Sequence, residues 1–84
     1  MPAKKEGTKL DIPGNVIANM EWLRMRQGLS IGDIAAAMSI CRNTYFTRKS
    51  NPGSLTLKEV ALAARVLKTP ARLIMYGALA EQPL

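Results

Sequence analysis

The twenty residues from Ile31 to Ser50, IGDIAAAMSICRNTYFTRKS, leave room for little besides two short helices. Ser30 is a good N-cap before them, and Asp33 stands at the third helical position. Ile34, Ala35 and Met38 share one face. Ser39-Ile40 makes a turn, and Cys41 takes the N-cap position of the second helix. The expected spans are Ile31 to Met38 and Arg42 to Lys49. Two helices joined so tightly cross at a steep angle, and the crossing needs a small residue, which Ala35 supplies. Ile34, Met38, Ile40 and Tyr45 fall where wedges must hold the second helix against the first. That second helix is basic and polar and contains no acid.

The flanking sequence reads as further short helices. Residues 1–13 are polar, carry three lysines and end in Pro13; they read as a basic arm, with an ordinary frayed terminus the preferred interpretation. Asn15 is expected to cap a first helix from Val16 to Gln27, with Val16, Met20, Leu23 and Ile17 inward and Gly28 ending it in the left-handed region. Asn51-Pro52-Gly53-Ser54 is a breaker cluster. Thr56 then caps Leu57 to Leu67, with Val60, Ala61, Ala64 and Leu67 as the core face. Thr69 is expected to cap a fifth helix, with Pro70 at its first position, Leu73, Ile74 and Tyr76 inward, and Gly77 as its end. No segment alternates with period two. The domain therefore spans 14–77 and is all-α, with a patternless tail at 78–84.

Composition narrows the function. At 84 residues the chain is one small domain, and 48% hydrophobic residues are enough for a core. A net charge of +6 suggests a polyanion partner. Cys41 is the single cysteine, so no intrachain disulfide can form, which fits a reducing cytosol and a cytoplasmic protein. No apolar run is long enough to span a bilayer. Histidine is absent, and the acids Glu6, Asp11, Glu21, Asp33, Glu59 and Glu81 are scattered singly. No catalytic, phosphate-binding or metal-binding motif occurs, so neither enzyme activity nor a metal, cofactor or small-molecule substrate is expected.

The residues Gly28-Leu29-Ser30, Ile34-Ala35, Met38-Ser39-Ile40 and Thr44, with Leu57 through Leu67, Leu73 and Gly77 at matching offsets, resemble the lambda-repressor/Cro-type domains. These are the phage-repressor-like transcriptional regulators of the xenobiotic-response-element family. The resemblance covers about Val16 to Gly77. It implies a five-helix domain whose helix-turn-helix, 31–50, binds operators in double-stranded DNA as a dimer. By position it implies that Arg42, Asn43 and Thr47 face base edges. Arg bonds guanine O6 and N7 together, and Asn does the same at adenine N6 and N7. Phe46 also falls outward, either packing on thymine methyls or covering the fourth helix. Thr44, Ser50 and Ser30 are implied phosphate contacts. Lys49, with the arm lysines Lys4, Lys5 and Lys9, would add salt-sensitive affinity.

Five positions depart from the family's pattern, among them Tyr45, which replaces the usual Val or Ile wedge and needs room and a partner for its hydroxyl. Ser39 stands where the turn usually has Gly. Cys41 is a weak cap; a Ser-sized substitution is the simpler reading of it, a redox switch the other. Arg24 and Lys49 occupy positions that often form an Arg–Glu pair, so both must turn outward or find other partners, Glu21 being the nearest candidate. Arg48 stands at a usually apolar position and is expected to send its head to solvent or phosphate. A protein-interaction module on the same fold, antitoxin-like or an adaptor, and a nonspecific DNA-binding protein remain alternatives. The apolar Leu73-Ile74-Met75-Tyr76 with Leu79 suggests a homodimer contact, the other reading being that the tail folds back on its own core.

Overall fold

The computed structural model describes residues 12–81. Within them every regular element is helical: α1 Ile12–Gln27, α2 Ile31–Ala37, α3 Arg42–Ser50, a 3-10 turn at Pro52–Ser54, α4 Leu57–Leu67, α5 Ala71–Tyr76 and a second 3-10 turn at Leu79–Glu81. The all-α reading holds, and no described helix is long and apolar enough to cross a membrane. Residues 1–11, with Lys4, Lys5 and Lys9, and residues 82–84 lie outside the described residues.

α1 starts four residues earlier than the sequence suggests. Pro13 lies inside its first turn, where a missing backbone N–H costs nothing because those donors have no helical partner. Asn15 is therefore not a cap. Its amide instead donates to the carbonyls of Met75 and Gly77, at 3.0 and 2.9 Å. α1 runs through the middle of the molecule and buries Val16, Ile17, Asn19, Met20, Trp22 and Leu23. Asn19 is wholly buried. One turn after Asn15, it donates to the carbonyls of Ile74 and Gly77 at 2.7 and 2.9 Å and accepts from the Ala80 N–H at 2.9 Å. Two asparagines of α1 thus satisfy the carbonyl end of α5.

Three helices end alike. The N–H of Leu29 reaches the carbonyl of Arg24, that of Ile40 reaches Ala35, and that of Thr69 reaches Ala64. Each bond needs a left-handed residue just before it. Those residues are Gly28, Ser39 and Lys68, at φ +73°, +63° and +55°. Only glycine adopts this conformation without a side-chain penalty. Ser39→Gly should therefore raise stability by about 1 kcal/mol, or a few degrees in Tm. A thermal melt of the variant checks this; an unchanged or lower Tm would contradict it.

α2 and α4 start with matched caps. Ser30 and Asp33 bond reciprocally, each at 3.0 Å, and Thr56 and Glu59 do the same at 3.1 Å. These boxes fix both starts where the sequence places them. The core face of α4 differs in one residue. Val60, Ala63, Ala64 and Leu67 are buried, whereas Ala61 is exposed because it stands off that helical row. Helix α5 also corrects an expectation. Pro70, not Thr69, takes its cap position, and the Thr69 hydroxyl donates to the Leu67 carbonyl. Ile74 fills the core, but Leu73 and Tyr76 are 43% and 68% exposed. A helix this short presses one face inward, and these two residues stand on the other. Gly77 ends α5 at φ −77°, so it is not left-handed. Its place is set by crowding: a Cβ there would lie 2.5 Å from the Leu73 carbonyl oxygen.

Candidate nucleic-acid interface

α3 rests on Tyr45, which is fully buried with Met20, Ile34 and Met38 in the same core. At about 100° per residue, Arg42, Asn43, Phe46, Thr47 and Ser50 span an arc of about 140° on the opposite side. All five are exposed, and the helix holds no acid. Phe46 is 48% exposed. Arg42 and Asn43 form the first turn of α3, at the edge of this face nearest α2. The Arg42 guanidinium lies over Gly32: a Cβ on Gly32 would meet its Nε and Nη2, each at 3.2 Å. A glycine in the first turn of α2 thus makes the seat for the leading basic residue of α3. The Thr47 hydroxyl donates to the Asn43 carbonyl at 3.1 Å. With that proton spent on its own helix, Thr47 has its methyl to offer a partner.

The remaining cations of α3 are held. Arg48 turns its head to an acid of α4. Its Nε and Nη2 donate to the two carboxylate oxygens of Glu59, both at 3.0 Å, which fastens α3 to α4. Lys49 has its Nζ 3.5 Å from Glu21 Oε1 and 5.8 Å from the centre of the Phe46 ring. Arg42 is the cation of α3 with no carboxylate at ion-pair distance among the described residues.

The Arg24–Lys49 conflict resolves through Glu21. Arg24 donates to both Glu21 oxygens, at 3.1 and 2.8 Å, and its Nη1 reaches the Leu29 carbonyl at 2.8 Å. The Tyr45 hydroxyl donates to Glu21 Oε2 at 2.5 Å. One carboxylate therefore serves two cations and a phenol. Burial pulls the Glu21 carboxyl upward, but the bonds from Arg24 and Tyr45 and the nearby Arg24 and Lys49 charges outweigh it and leave it below the usual carboxylate range. Burial, reinforced by the Glu21 carboxylate, pushes the Tyr45 phenol well above its ordinary value. Glu59 is also lowered, chiefly by the Arg48 bonds against some burial.

A carboxyl lowered on folding stabilises the fold fully above its unfolded pKa of about 4.3, and that stability is lost as pH falls through the lower folded value. The Tm gap between the wild-type protein and Glu21→Gln should thus close as pH drops from 7 towards 3. Melts across that range check it; a gap that stays constant or widens in acid would contradict it.

The expected phosphate contacts fare unevenly. Ser50 is exposed on the α3 face. The Ser30 hydroxyl accepts from the Asp33 N–H, and the Asp33 carboxylate accepts from the Ser30 N–H. An acid already stands at the start of α2, so a phosphate there would meet like charge. The Thr44 hydroxyl lies 3.2 Å from the Cys41 sulfur and is half-buried. Cys41 takes the N-cap backbone conformation but makes no side-chain bond to the helix backbone. Its thiol is lowered by the Thr44 hydroxyl and nearby backbone. Among the described residues no group of three His, Cys, Asp or Glu side chains comes together.

Protein-family models, curated proteins and solved structures were all compared with the chain, and none gives a match.

Proposed function

We propose that the domain is a sequence-specific reader of double-stranded DNA, a repressor-like transcriptional regulator that lays α3 in the major groove. The observation that carries this reading is the exposed, acid-free face of α3, with the unneutralised Arg42 beside Asn43 at its leading edge. Arg42 and Asn43 are the residue types that bond two atoms of guanine and adenine respectively. Thr47 and Phe46 then offer a methyl and a ring to thymine methyls. Ser50 meets phosphate. The lambda-repressor-like helix-turn-helix fold is part of the proposal; it is supported by the tight α2–α3 pair, the Ser39-Ile40 turn and the resemblance over Val16 to Gly77.

A two-fold dimer through α5 is also proposed, because Leu73 and Tyr76 leave apolar surface there. Exposed Phe46 favours the protein-interaction module as the second reading.

Fluorescence anisotropy with a labelled random-sequence duplex tests the proposal at its base. Binding at low salt should weaken linearly on a log–log plot as salt rises. No affinity for any duplex at low salt would sink the DNA reading in favour of a protein partner.

A further inference from the structure

We propose that Glu21, on α1, is a positioning and specificity residue for the DNA-reading helix, a role that rests on the reading above. It fixes the pose of α3 through Tyr45 and keeps the charge of Lys49 off the phosphate backbone. Tyr45 is the buried anchor of α3, and its hydroxyl is bound to Glu21 Oε2. Lys49 is held at Oε1. Through Arg24 the same carboxylate is tied to the Leu29 carbonyl, on the segment that enters α2. Both helices of the reading pair are therefore referenced to one group on α1.

Lys49 also stands beside the outward face, over the ring of Phe46. A lysine there, once freed, reaches phosphates whatever the bases are. Phosphate contacts add affinity for every sequence equally, whereas base contacts discriminate. Holding Lys49 on Glu21 lowers the affinity shared by all sequences. Discrimination is a difference of affinities, so it is left to Arg42 and Asn43 and to the pose of α3 that Tyr45 and Glu21 fix.

Glu21→Gln tests this with little change of shape. It keeps an acceptor for Tyr45 and removes the charge that holds Lys49. The variant, folded by circular dichroism, should bind a random-sequence duplex roughly fivefold more tightly at moderate salt, and its log–log salt slope should steepen by about 0.9, one added phosphate contact. Adding Lys49→Met to it should return the slope to the wild-type value. Tyr45→Phe should leave the slope unchanged but reduce discrimination between a preferred duplex and a random one. If Glu21→Gln does not fold, Lys49→Met alone decides: its slope should stay near wild type, and a drop of about 0.9 would overturn the proposal. Wild-type protein that binds DNA, with a folded Glu21→Gln of the same slope, overturns this role and leaves the DNA reading standing. Wild-type protein with no affinity for any duplex overturns both.

Discussion

Asn19→Leu should remove about 3 kcal/mol of folding stability, the largest loss expected from any single polar side chain of α1. The change keeps the number of side-chain heavy atoms and deletes every polar atom of the side chain. The carbonyl of Ile74 and the N–H of Ala80 then lose the partner they have in α1, while the Gly77 carbonyl keeps the Asn15 amide. An unpaired buried backbone group costs about 1–3 kcal/mol. The two will not both cost the full amount, since the 3-10 turn at Leu79–Glu81 can open towards water. A domain this small is stable by only about 0.05–0.15 kcal/mol per residue, so the loss is a large share of the whole. The Tm should fall by roughly 15 °C. Asn15→Ala should cost less, because Asn15 is half-buried and its carbonyl partners have solvent nearby. Urea titrations of both variants check the order. A loss below about 1 kcal/mol for Asn19→Leu would contradict the role given to that amide.

The second large effect falls on DNA. Arg42→Ala and Asn43→Ala should each remove about 1–3 kcal/mol of discrimination between a preferred duplex and a scrambled one, a factor of roughly 5 to 150. Both side chains are exposed, so the fold should survive. The two changes should differ in kind. Arg42 carries the uncompensated charge of α3, so its loss should also flatten the salt slope by about 0.9. Asn43 carries none, so its loss should leave the slope alone. Anisotropy titrations on both duplexes at three salt concentrations separate these outcomes. Folded variants that both keep wild-type discrimination would move the reading head elsewhere.

Much of the fold was legible because helix ends are written in local chemistry. Ser30 with Asp33 and Thr56 with Glu59 mark starts, and Gly28 marks an end; α4 lies where those residues place it. The start of α1 was harder, because Pro13-Gly14 suits a break as well as a first turn. Asn19 and Trp22 escaped for a different reason. α1 is covered on several sides, so its buried residues form no single stripe with a readable period.

At the candidate site, the outward positions of α3 follow from helical spacing alone. Their electrostatics do not. The Glu21–Arg24 pair is three residues apart on one helix and could be anticipated. The Arg48–Glu59 pair joins α3 to α4 across a turn, and the seat of Arg42 on Gly32 joins α3 to α2. Neither leaves a trace in local spacing. α3 therefore reads as more basic in sequence than it is in the fold, where two of its three cations are matched by acids.

The most direct test of the central claim is a selection of binding sites from random double-stranded DNA with the wild-type protein. The account predicts an enriched motif with a guanine and an adenine at positions that lose information in Arg42→Ala and Asn43→Ala. A dimer would show two inverted half-sites about one helical turn apart. A protein that binds the pool but enriches no sequence, at low salt and high, would contradict it.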